Sequence, residues 1–171
     1  MIDATSITSK TFAVCTVVLY LKFVVTCRMQ ALNTFQAGAR PPEDNKLAQM
    51  AKREGPNQNY GIMIDVEERE EDVETKQKRA LALENDQRWK RIVANDVESI
   101  PLALLVFAAG LVVESQEVVQ VVSMILYTVM RIFHTVAYAK GMQPHRSLIW
   151  VVSVVAILIG GVNTLVSVFA K

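Results

Sequence analysis

Arg88–Trp89–Lys90–Arg91–Ile92–Val93–Ala94–Asn95–Asp96–Val97–Glu98 runs without a break into the apolar stretch Ile100–Val113. Read as a helix, with about 100° of turn per residue, it brings Arg88, Arg91, Asn95 and Glu98 onto one narrow face. Two cations, an amide and a carboxylate thus form a stripe where the chain enters an apolar segment long enough to cross a bilayer. Polar groups at that depth are costly and are normally tied to a site or to a buried partner. The membrane helix spans about residues 89–113, and Pro101 within it is tolerated if neighbouring groups satisfy the carbonyl it frees.

Downstream, Glu114–Ser115–Gln116–Glu117 is a short turn before a third apolar helix at about 117–139. Ala139–Lys140–Gly141–Met142–Gln143–Pro144 is the next turn, and a fourth helix covers about 146–168, with Gly160–Gly161 allowing close helix packing. Upstream, residues 65–87 are densely charged. Asp65/Arg69 and Glu74/Lys78 have the spacing of exposed helical ion pairs. This segment reads as a solvated helical or partly disordered extension, with an adaptor surface for another protein as the alternative. Residues 45–64 read as loop, with Glu54–Gly55–Pro56–Asn57 as a turn. Arg40–Pro41–Pro42–Glu43–Asp44 ends or bends what precedes it. The first helix then falls at about 11–32, carrying Lys22 well inside it and Arg28 near its end.

The 171 residues are 51% hydrophobic with a net charge of +1, and the charge is concentrated in residues 40–91. That pattern is an integral membrane protein with one polar loop, and it gives no basic patch for nucleic acid. Lys22 interrupts the first apolar run and no small-x-small cleavage motif follows, so an uncleaved transmembrane helix is expected rather than a signal peptide. Cys15 and Cys27 lie about 18 Å apart along one helix, too far for a disulfide. His134 and His145 lack the partners of a metal site, and there is no phosphate-binding glycine loop or nucleophile elbow.

The expected fold is therefore all-α: an integral membrane four-helix up-and-down bundle, a single transmembrane domain over residues 1–171 with a charged loop at about 40–87. Lys and Arg mark the first and third connections as cytosolic. This topology brings three polar stretches to one level: Arg88, Arg91, Asn95 and Glu98; then Arg131, His134 and Tyr138, spaced i, i+3, i+7 on one face; then Arg146 and Ser147. Four arginines with Asn, His, Tyr and Ser suit a small anionic ligand held by charge-assisted hydrogen bonds. The competing structural reading is arginines snorkelling to lipid phosphates. Lys22 is expected to pair with Asp96 or Glu98.

The motifs Arg88-x-x-Arg91-x-x-x-Asn95-Asp96-x-Glu98-x-Ile100, Arg131-Ile132-Phe133-His134-Thr135-Val136-Ala137-Tyr138 and Gln143-Pro144-His145-Arg146 together resemble the membrane-associated eicosanoid and glutathione metabolism family. Leu21–Lys22 and Pro42–Glu43–Asp44 add to the match, which covers nearly the whole chain except about 50–86. The resemblance lies closest to the glutathione transferase and prostaglandin E synthase branches. It implies a homotrimer in the endoplasmic reticulum or another internal membrane, with glutathione bound between subunits near the cytosolic face. Arg88, Arg91, Asn95, Glu98, Arg131, His134, Tyr138 and Arg146 would lie in or near that site, with Arg146 stabilising the glutathione thiolate. Conjugation of lipophilic electrophiles, with reduction of lipid hydroperoxides, is the implied activity. Ser147 and Asp44 match a pair associated with isomerisation of prostaglandin-type endoperoxides, which is the alternative. A non-catalytic lipid-binding protein of the same fold is the alternative from another class. Three departures stand out: Thr34 or Asn33 occupies the place of an expected first-helix arginine, the Tyr138–Arg146 gap is one residue shorter than usual, and Trp150 replaces a tyrosine.

Overall fold

The computed structural model describes residues 5–50, 52, 55–62 and 73–170. Among the described residues the protein is all-helical, with five helices and no strand: α1 (Ile7–Gln36), α2 (Asp44–Met50), α3 (Val73–Val112), α4 (Glu117–Ala139) and α5 (His145–Phe169). Four of them, α1, α3, α4 and α5, are long and apolar enough to cross a membrane. The protein is an integral multi-pass membrane protein. Its chain divides into two compact units, one comprising residues 1–24 and 94–171, the other residues 25–93.

Three boundaries differ from the sequence reading, each for a physical reason. Helix α3 begins at Val73, not near residue 89. Its first four turns are charged, and they remain helical because ion pairs at i, i+4 line them. Glu74 meets Lys78 at 2.7 Å, Glu84 meets Arg88 at 2.6 Å and Asp86 meets Lys90 at 2.7 Å. A hydropathy pattern stops where charge begins, whereas the backbone ladder does not; α3 has 40 residues, about 60 Å, twice a bilayer core. Residues Asp44–Met50, read as loop, form α2: Pro41 and Pro42 precede it and Asp44 lies in its first turn, where a carboxylate complements the helix dipole. Helix α1 extends to Gln36 and ends at a turn in which Gly38 takes φ +67°. The Asp65/Arg69 pair and part of the expected Glu54–Asn57 turn lie outside the described residues.

Residues 25–93 are tied together by polar contacts. Gln58, almost fully buried, accepts from the Arg40 backbone N–H at 3.2 Å and donates to the Phe35 and Pro56 carbonyls at 3.0 and 2.8 Å. Asn45 brackets it through its backbone, at 2.8 and 3.0 Å. Thr34 donates to the buried Asp86 at 2.7 Å, which links the end of α1 to the charged half of α3.

The other unit is a four-helix bundle. Its core takes Cys15 and Leu19 from α1, Ile100, Ala103 and Phe107 from α3, Met124 and Tyr127 from α4, and Ala156 from α5. Neither Cys15 here nor Cys27 in the other unit takes part in a disulfide. Helix α4 buries Gln120, Ser123, Met124, Tyr127, Thr128, Arg131, His134 and Ala137, a single stripe spaced by threes and fours, so its buried face is largely polar. Those polar groups meet partners across helices. Tyr127 and Ser99 hydroxyls lie 2.9 Å apart, Gln120 donates to the Phe107 carbonyl at 3.0 Å, and Asn163 donates to the Gln116 carbonyl at 3.0 Å. Outward faces carry Val14, Leu105, Val122, Leu158 and Leu165, as a lipid-facing surface or a contact with another subunit requires.

Gly160 marks a close approach of α5 to α3 and α4 in the bundle. A Cβ there would lie 2.7 Å from Phe107 Cε1 and 3.6 Å from Ser123 Cβ. Gly160→Ala is expected to lower stability by about 1–3 kcal/mol through overpacking, with Phe107→Leu recovering part of the loss; thermal unfolding of the detergent-solubilised protein measures both.

Candidate functional site

Asp96 on α3 is a fully buried carboxylate in the bundle, 1% exposed. It accepts from Lys22 Nζ on α1 and, at 2.6 Å, from Arg131 NH2 on α4. The same Arg131 nitrogen donates to the Asn95 carbonyl at 3.0 Å. Three helices are thus joined through one carboxylate. Burial of a lone charge here would cost several kcal/mol, and the pairing offsets it. Arg131 is 0% exposed, and its Nε and NH1 are buried without a hydrogen-bond partner among the described residues.

Above this triad, toward the α4–α5 turn, the same α4 face continues with His134, buried, and Tyr138, half-buried. Their rings meet edge to face with centroids 5.8 Å apart. Arg146, in the first turn of α5, places its guanidinium carbon 4.2 Å from the Tyr138 ring centroid, a cation–π contact. Gln143 steadies it from the turn. With its amide turned so that the oxygen faces donors, Gln143 accepts from Arg146 Nε at 3.1 Å and from NH2, and donates to Ser147 Oγ at 3.2 Å. That orientation is the chemically sensible one, because a guanidinium has only donors. A half-buried cation is therefore held at two points, and such a group can stabilise an anion brought beside it.

The remaining sequence-nominated residues fall as follows. Asn95 is half-buried, its carbonyl held by Arg131. Glu98 is exposed on the single chain, on the side of α3 away from Asp96. Ser147 is exposed beside Gln143. In the other unit, Arg88 pairs with Glu84, Arg91 is exposed, and Asp44 pairs with Arg40 at 3.2 Å. Arg40 also donates to the Ala31 carbonyl at 2.9 Å.

Lys22 takes Asp96, as expected, and not Glu98: two residues apart on a helix point in nearly opposite directions. Arg131 was harder to read. It shares a face with His134 and Tyr138, but lies about 10 Å deeper than Tyr138 along α4. Sharing a face is not sharing a level, and at Arg131's level the facing group is Asp96. The signal that could have assigned it is charge matching across helices, two cations and one carboxylate inside apolar segments.

Buried ion pairing between membrane spans, with a clamped cation at the α4–α5 end, defines a multi-pass membrane protein. A family model for the MAPEG family matches residues 11–166, and the chain belongs to that family. No curated protein and no solved structure matches closely enough to be named as a relative. Membership makes it a membrane protein of the glutathione-related and eicosanoid-metabolism class, whose members typically use glutathione.

Because Asp96 answers two cations, Asp96→Asn is expected to cost about 3–5 kcal/mol by leaving them uncompensated. Lys22→Met should cost much less, since Asp96 keeps Arg131. Unfolding in detergent, followed by circular dichroism, separates the two; equal losses would contradict the assignment of Asp96 as the shared partner.

Proposed function

We propose that the protein is a membrane-bound glutathione transferase that conjugates glutathione to lipophilic electrophiles and also reduces lipid hydroperoxides. The observation that carries this reading is the Arg146 guanidinium, half-buried and fixed by Tyr138 and Gln143 next to buried His134. A free thiol with a pKa of about 8.5 is mostly protonated at neutral pH, and a fixed adjacent cation favours its thiolate. Arg146 is the residue assigned to that role. Arg88, Arg91, Asn95, Glu98, His134 and Tyr138 are assigned to the tripeptide's charged ends and backbone. Arg131 is assigned to positioning, holding the Asn95 backbone through its contact with the carbonyl.

In the conjugation step the glutathione sulfur supplies the electron pair of the new S–C bond. The electrophilic carbon releases its leaving group, or in a conjugate addition its π electrons pass to the activating group and are then protonated. In peroxide reduction, two glutathione thiols become one disulfide, and the hydroperoxide is reduced to alcohol and water. The bilayer delivers the apolar co-substrate from the side.

The reading includes a homotrimer with glutathione between subunits. Support comes from Glu98, a carboxylate exposed on a membrane-spanning helix of the single chain, which is costly unless a ligand or another subunit covers it. It also includes an internal-membrane location with the site toward the cytosol, supported by the distribution of Lys and Arg among the connections. Asp44 and Ser147, the pair expected of an endoperoxide isomerase, are each engaged locally, by Arg40 and by Gln143. They are assigned no catalytic part here.

The test is the ultraviolet thiolate band of glutathione added to the purified protein, together with conjugation of a generic electrophile. If Arg146 depresses the thiol pKa by about two units, Arg146→Ala should lower the thiolate fraction at pH 7 by roughly 25-fold. Its pH–rate profile should then move up by the same two units, because the thiolate is lost as pH falls through the thiol pKa. Arg146→Lys should restore part of the band. A wild-type protein giving neither thiolate nor conjugation would overturn the reading, and a thiolate with endoperoxide turnover but no conjugation would replace it with the isomerase.

A further inference from the structure

The turn between α4 and α5 is closed by its own backbone. Gly141, at φ +65°, donates to the Tyr138 carbonyl at 3.0 Å, Met142 to the Ala137 carbonyl at 2.9 Å, and Arg146 to the Met142 carbonyl at 3.0 Å. That closure sets Arg146 against the Tyr138 ring, its guanidinium carbon 4.2 Å from the centroid, and brings Gln143 alongside. The Gln143 amide oxygen accepts from Arg146 Nε, at 3.1 Å, and from NH2, while its nitrogen donates to Ser147 Oγ at 3.2 Å. Both ends of one amide are engaged, which fixes its orientation.

The edge that Gln143 takes is chemically particular. A guanidinium carries its N–H donors in a planar fork, and a carboxylate holds it best through two parallel bonds, either to Nε and one terminal nitrogen or to both terminal nitrogens. Gln143 fills the Nε–NH2 edge, and Tyr138 covers one face of the plane. The NH1–NH2 edge is left for an anion. The occupant of the filled edge is neutral, and that is the decisive point. A carboxylate there would satisfy the same two donors but would offset the charge, as Asp44 does for Arg40 at 3.2 Å and Glu84 does for Arg88 at 2.6 Å.

We infer that Gln143 determines which anion Arg146 serves: as a neutral acceptor on the Nε–NH2 edge it satisfies two donors without a counter-charge and keeps carboxylates from that edge. The distinction matters because glutathione brings two carboxylates as well as its sulfur, and an open fork matches a carboxylate better than a single sulfur atom. With one edge filled and one face covered, the full charge is directed through the remaining edge at one anion, the thiolate. Gln143 acts through Arg146 and touches no reacting atom, so it is a positioning residue that sets specificity. The inference rests on the transferase reading and adds to it the reason why Arg146 ionises the thiol instead of holding a carboxylate end of the tripeptide.

Gln143→Glu separates neutrality from mere support, read by the ultraviolet thiolate band of glutathione on the full-length protein and by thermal unfolding. Glu has the same reach and keeps an acceptor for Nε and NH2, so a supporting role alone predicts an unchanged band. The inference predicts an unfolding temperature no lower than wild type but a thiolate fraction at pH 7 lowered by about tenfold, with the pH–rate profile moved up by about one unit, because the new carboxylate offsets the charge. Gln143→Ala opens the edge instead. Replacing chloride by acetate at equal ionic strength and saturating glutathione should then diminish its band and leave that of wild type unaltered. A band that Gln143→Glu retains in full overturns the inference and leaves the transferase reading standing. So does a Gln143→Ala band indifferent to acetate, which decides the matter if the Glu variant does not fold. Absence of the band in the wild type overturns both.

Discussion

One buried carboxylate, Asp96, holds two cations from two other helices, and the geometry of the bundle depends on that arrangement. In an aqueous core a triad of this kind contributes little, because three desolvation costs nearly cancel the attraction. Between membrane spans the alternatives are different. Apolar faces distinguish poorly between a neighbouring helix and lipid, so packing alone leaves rotation and depth loosely specified. An ion triad specifies both, since Lys22, Asp96 and Arg131 meet only when α1, α3 and α4 stand at one depth with those faces turned inward. The Ser99–Tyr127 contact, one turn away, and the Gln120–Phe107 contact below it repeat the same logic with neutral groups.

The arrangement divides the arginines by task. Arg131 is buried and committed to Asp96 and to the Asn95 backbone. Arg146 lies one helix-end higher, half-buried, with an aromatic ring beneath it and an amide beside it. The first is 0% exposed; the second is restrained, with no carboxylate paired to it among the described residues. A restrained cation without a counter-charge is what anion stabilisation requires, because no reorganisation is needed when the anion arrives. On the proposed reading the buried triad fixes the frame, and the shallower residues are left for chemistry.

Much of this was legible in the residues. Four apolar segments, two short connections and the placement of Lys and Arg were enough for an all-α membrane bundle, and opposite charges inside apolar runs narrowed the partner of Lys22 to Asp96 or Glu98, of which the structure takes Asp96. Face periodicity correctly grouped His134 with Tyr138. It placed Arg131 on the same face, but a helical face records direction and says nothing of depth, so the pairing of Arg131 with Asp96 was left unread. The i, i+4 spacing of Glu74 and Lys78 marked a helical extension before the membrane span, but its continuity with that span, and the short α2, escaped: hydropathy locates what lipid can cover, whereas Glu74–Lys78, Glu84–Arg88 and Asp86–Lys90 sustain a helix that lipid does not. Gln58 gave no signal at all, since a single polar residue in a loop acquires its role only from the carbonyls that happen to surround it.

The account's central claim is a separation of roles by depth, with Asp96 and Arg131 forming the frame and Arg146 serving the ligand. A density map of the full-length protein in lipid with glutathione bound tests it most directly. The account predicts the glutathione sulfur beside the Arg146 guanidinium, with Asp96 still bridging Lys22 and Arg131. Glutathione carboxylate density on Arg131, with Asp96 released, would contradict it.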